Sequence, residues 1–116
     1  MRSNPWRQLL YHAKIAGKKN LQYFKKKNIF FDLTWRDLEK QFKKQKERCY
    51  WFGIKLDPFG IFKKDNPLAI SVDRLDNLLY YSKNNIVVCC RLANLGRNRC
   101  TKEEFRKIAN KLKREI

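Results

Sequence analysis

The stretch "SVDRLDNLLYYSKNNIVVCCRLANLGRN", residues 71–98, decides how this chain folds. At its start, in "LAISVDRL" (68–75), Leu68, Ile70 and Val72 alternate with small or polar neighbours. That is the period of a strand with one buried face. "NNIVVCC" (84–90) is a continuous apolar, β-branched run and reads as a second strand. "CRLANLGRN" (90–98) then turns into a short helix, with Gly96 as its expected stop. The order is strand, loop, strand, helix, with Asp73 near the end of the first strand and Arg74 directly after it.

Outward from this centre, "TKEEF" places Thr101 and Glu104 in capping-box spacing, so a final helix should start there. Its apolar stripe is Phe105, Ile108 and Leu112. Upstream, "CYWFGIKL" (49–56) is rich in β-formers and runs into the turn-like "DPFG", which predicts a strand or hairpin arm. Thr34 caps a helix with Asp37 at the reciprocal position, and Leu38, Phe42 and Trp35 form its core face down to a fraying end near Lys46. "NIFFDL" (28–33) reads as a short strand or an extended entry. Asn4 before Pro5 is a helix start. From there one long or two consecutive helices run to about residue 27, with Gly17 as a break. The expectation is a small α+β single domain: a basic helical segment over 1–28 joined to the main body over 29–116.

The composition supports a folded chain. Among 116 residues, 43% are hydrophobic and 14% aromatic, enough for a modest core. No apolar run approaches the roughly 18 residues of a membrane span. The first twenty residues lack the apolar core of a secretory signal, so an intracellular location is expected. The charge is more telling. Twenty-eight Lys and Arg against eleven Asp and Glu give a formal +17. A surface so cationic suits neutralising phosphates and releasing their counterions, which points to nucleic acid. Cys49, Cys89, Cys90 and Cys100 do not look like a disulfide framework, because adjacent strand cysteines point opposite ways.

Several motifs together resemble the HNH endonuclease family in its phage and mobile-element branch. They are "FDLT" at 31–34, "CYWFGIKL" at 49–56, "SVDRLD" at 71–76, "YSKNNI" at 81–86, "CRLANLGR" at 90–97 and "TKEEF" at 101–105. The match is collinear over residues 20–112. The resemblance implies a ββα-metal (His-Me finger/HNH) core flanked by basic helices, and a hydrolase that cuts phosphodiester bonds in DNA. In such a core Asp73 and Asn94 would offer oxygens to one Mg²⁺ or Mn²⁺, ions that accept hard ligands and keep most of their water. By the same resemblance Asn85 is the motif's central asparagine, holding the loop or the catalytic residue in place. Arg97 falls where the family carries a basic residue near phosphate, which its fork would match. Arg91, Arg99, Lys18, Lys19, Lys25 and Lys26 are further candidate phosphate contacts.

The family's general base is a histidine after the metal-binding Asp, and this chain has Arg74 there. A guanidinium stays protonated and cannot activate water, although it can steady transition-state charge. Asp76, three residues on, and His12, the single histidine, are the alternative bases; hydroxide from solvent is a third. Family members with a structural zinc carry two C-x-x-C pairs. Here each pair has lost its second ligand, with Phe52 opposite Cys49 and Ala93 opposite Cys90, so no zinc is expected and Phe52 and Ala93 would fill the space. Two other readings stay open: a non-catalytic nucleic-acid binder on the same scaffold, and a structural basic nucleoprotein component. RNA, a protein partner and a homodimer are equally open.

Overall fold

Strand β1 (Ile70–Arg74) and strand β2 (Ile86–Cys90) pair antiparallel, with Val72 opposite Val88 and Asp73 opposite Val87. The structure, a computed structural model, describes residues 3–18 and 32–115. Every residue of β2 is buried, as its unbroken apolar run predicts, while β1 alternates more. Leu68 falls outside β1 and is exposed.

Among the described residues four α-helices flank the hairpin. Helix α1 (Pro5–Lys18) starts where Asn4 Oδ1 accepts the backbone N–H groups of Trp6 and Arg7. Helix α2 (Trp35–Lys44) has the full capping box between Thr34 and Asp37, and buries Leu38 and Phe42. The backbone N–H of Thr34 holds the Asp37 carboxyl below its ordinary range. Helix α3 (Arg91–Arg97) follows β2 directly. A fourth helix, α4 (Lys102–Glu115), opens with the Thr101–Glu104 capping box. Residues 19–27 of the expected N-terminal helices, and 28–31 of "NIFFDL", lie outside the described residues.

Three expectations need correction. Residues 49–56 do not form a strand. They fold into a tight loop closed by Cys49 N–H to Ile54 O at 2.8 Å and by a lone antiparallel bridge from Arg48 to Lys55. Gly53, at φ 73°, supplies the left-handed turn that β-propensity alone did not anticipate. Second, α3 does not stop at Gly96; it runs to Arg97, and Asn98 beyond it takes φ 48°. Third, α4 buries Phe105 and Ala109, one turn apart, and leaves Ile108 and Leu112 exposed. Gly17, the expected break, is the last residue but one of α1, and residues 19–31 that follow lie outside the described residues. Gly17 is buried because the helix passes so close to Tyr80 that an added Cβ would sit 2.5 Å from the phenol oxygen.

The core joins Trp6, Leu9 and Ala13 of α1 to α2, both strands and Phe105 of α4, so α1 belongs to the same core as the hairpin. Gln45, just past α2, closes one edge of β2: its amide accepts Val88 N–H at 2.9 Å and donates to Val88 O at 2.7 Å. A side chain thus takes the place of a third strand and satisfies that edge.

Candidate active site

Helix α3 lies along β1. Arg91 N–H donates to Ala69 O, Asn94 reaches Ser71 and Val72, and Arg97 reaches Asp73, Arg74 and Leu75. Ser71 and Asp73 share a face by strand alternation, and both side chains meet this helix.

Asp73 is buried, yet it is not an isolated charge. Its Oδ2 accepts the Trp51 indole N–H at 2.8 Å and the Arg97 guanidinium at 2.8 Å. Both bonds fall on one oxygen. Among the described residues no fully buried side-chain oxygen or nitrogen lacks a partner, so Oδ1 keeps the carboxylate's remaining solvent contact. Asn94 shows the complementary pattern. Its amide nitrogen donates to Ser71 Oγ at 2.8 Å and Val72 O at 3.3 Å, which fixes the direction of Oδ1.

Arg97 is 1% exposed, so it does not face a phosphate as placed. Besides Asp73, it donates to the carbonyls of Arg74, Leu75 and Cys100. It thereby ties the end of β1 to the α3–α4 junction. Its guanidinium also stacks 5.1 Å from the Trp51 ring, which Arg106 covers at 4.8 Å. Trp51 and Arg106 are site components that sequence reasoning missed. Trp51 was hidden within the expected strand 49–56, and only the tight loop turns it inward.

Asn85 organises the loop between the strands. Its Oδ1 accepts Asp76 N–H at 2.9 Å, while its Nδ2 donates to the carbonyls of Asp76, Leu79 and Tyr80. Arg74 donates to Asn77 O and Leu79 O of the same loop and lies 5.3 Å over the Tyr81 ring. Asp76 is exposed, and its Oδ1 accepts Leu78 N–H in a local turn. Arg91 and Arg99 are exposed at the two ends of α3. Lys18 is the last residue of α1, and Lys19, Lys25 and Lys26 lie outside the described residues.

A cleft of about 480 Å³ opens beside β1, with walls from α1, β1, α3 and residues 61–66. Asn94 and Ser71 line it, and so does His12. Elsewhere, the zinc-type positions converge without a complete ligand set. Cys49 Sγ and Cys90 Sγ are 3.9 Å apart, and the N–H groups of Phe52 and Cys90 point at Cys49 Sγ. The Cys90 S–H, helped by those N–H groups against the cost of burial, lowers the Cys49 thiol to about 6 and raises Cys90 in return. Ala93 is fully buried, whereas Phe52 is half-buried and leans on Phe105 at 6.3 Å. No group of three or more His, Cys, Asp or Glu that could hold a metal occurs among the described residues.

The hairpin with a helix laid along it gives the chain an HNH-like fold. Among solved structures it is similar to the rare-cutting HNH restriction endonuclease PacI. The TM-score is 0.58 at 19% sequence identity, over 96% of this chain and 75% of that one. No protein-family model matches the chain, and no curated protein matches its sequence. No helix among the described residues is long and apolar enough to cross a membrane.

Proposed function

We propose that the protein is a Mg²⁺- or Mn²⁺-dependent endonuclease that hydrolyses phosphodiester bonds in DNA, with Asp73 and Asn94 holding one ion. One observation carries this reading. Each of the two residues has one side-chain oxygen fixed in place by bonds made elsewhere on the same group, on adjoining parts of the ββα unit. That donor set fits a hard divalent ion, which needs few protein oxygens and fills its remaining positions with water and phosphate. When bound, the ion supplies positive charge to the oxygens of the reacting phosphate.

The other residues support that pair. Trp51 and Arg97 orient the Asp73 carboxylate, as outer partners of metal-binding carboxylates commonly do. Asn85 holds the loop to which Arg74 is bonded, so the Arg74 charge is positioned to steady negative charge on phosphate. Exposed Arg91 and Arg99, with the +17 net charge, supply backbone contacts that grip any sequence. DNA is favoured over RNA because the similar solved structure is that of a restriction endonuclease.

A second reading, a binder without catalysis, draws on the Arg97–Asp73 ion pair, which already neutralises the carboxylate. Mn²⁺ binding followed by paramagnetic resonance separates the two. The nuclease reading expects one bound Mn²⁺ in the presence of a short duplex, lost in Asp73→Asn and Asn94→Ala, with duplex binding retained in both. A wild-type protein that binds duplex but takes up no Mn²⁺ would favour the binder.

A further inference from the structure

We infer that the cleft beside β1 seats the reacting phosphate and that His12, from α1, acts there as the general base that Arg74 cannot be. The inference rests on the nuclease reading above. Arg74 is bonded to loop carbonyls and permanently charged, and Asp76, the other candidate side chain, caps its own turn. His12 alone shares a cavity with Asn94.

The surroundings suit an anionic substrate. Lys63, Lys64 and Arg91 line the cleft with His12, and Asp65 and Tyr81 are the other titratable groups there. On its own helix, His12 meets Gln8 and Tyr11. The Gln8 side-chain nitrogen lies 3.0 Å from His12 Nε2, and in the tautomer with its proton on Nδ1 the ring presents Nε2 as the acceptor. That contact is solvent-exposed, and a water can replace Gln8 as the donor. In the step, Nε2 takes a proton from this water while its oxygen forms a bond to phosphorus. The phosphorus–O3′ bond breaks, and the leaving oxygen takes a proton from solvent.

Because the chain has one histidine, its ring gives a unique proton resonance. The first test adds a short duplex without metal and watches that resonance; a shift is expected, and its absence overturns the inference. The second compares metal-dependent nicking of supercoiled plasmid by wild type, His12→Gln, His12→Ala and Asp73→Asn across pH. Both His12 variants should slow by about 10²–10⁴-fold with plasmid binding unchanged, lose the rise of rate with pH, and His12→Ala should regain activity with added imidazole. Wild-type rates in the His12 variants, with Asp73→Asn inactive, sink His12 alone. So does a slowed His12→Ala that keeps its pH profile and ignores imidazole. A wild-type protein that never nicks sinks the nuclease reading and this inference together.

Discussion

Replacing Arg97 with methionine should destabilise the protein far more than any other arginine substitution. The side chain is 1% exposed, and it contributes the charge opposite Asp73 and bonds to three backbone carbonyls. Removing one partner of a buried ion pair costs about 3–5 kcal/mol, because the other charge stays buried without compensation. At roughly 0.05–0.15 kcal/mol per residue, a chain of 116 residues has about 6–17 kcal/mol in total. The loss is therefore a large fraction of the fold's stability. With a urea slope of about 2 kcal/mol per molar, a cost of ~4 kcal/mol lowers the unfolding midpoint by about 2 M. Adding Asp73→Asn to Arg97→Met should recover part of the loss, since it removes the orphaned charge. A cost below about 1 kcal/mol, the scale of exposed pairs, would refute this placement of Arg97 and with it the orientation of Asp73.

Two further perturbations probe other parts of the structure. Phe52→Cys with Ala93→Cys should create a zinc site. Four thiolates at about 2.3 Å from a tetrahedral ion stand about 3.8 Å apart, close to the 3.9 Å already separating Cys49 and Cys90. Zinc titration against a competing chelator should show one tight site and a raised melting temperature, whereas no uptake would mean that the 49–52 loop and the start of α3 cannot close on an ion. Gly17→Ala should destabilise by about 1–3 kcal/mol through its collision with Tyr80, despite the better helix propensity of alanine. A rise in melting temperature would show that Tyr80 gives way.

Elements set by local chemistry were legible in the sequence. The Asn4, Thr34 and Thr101 caps fixed three helix starts, and the apolar run at 86–90 fixed the buried strand. What was not legible depends on meetings across the chain. Tyr50, Trp51 and Phe52 have strand propensity, but Gly53 and the pairing of Cys49 with Ile54 fold them into a loop, so Trp51 reaches Asp73. Gln45 looked like the frayed end of a helix, and it serves as the edge partner of Val88, 43 residues away. Arg97 illustrates the limit most clearly. Its charge suggested a surface contact, and only the junction of β1 with α3 and α4 shows that its donors are engaged inside. The closeness of α1 to Tyr80, which makes Gly17 a packing contact, was equally invisible from helical periodicity.

The most direct test of the account is cleavage of supercoiled plasmid by wild type and Asp73→Asn with Mg²⁺, Mn²⁺ or EDTA. Asp73→Asn keeps the shape of the side chain and an oxygen to accept from Trp51 while removing the charge. The account predicts metal-dependent nicking by wild type, none in EDTA, and none by Asp73→Asn even though it still binds the plasmid. Nicking that survives Asp73→Asn or EDTA, or no nicking by a folded, DNA-binding wild type, would contradict it.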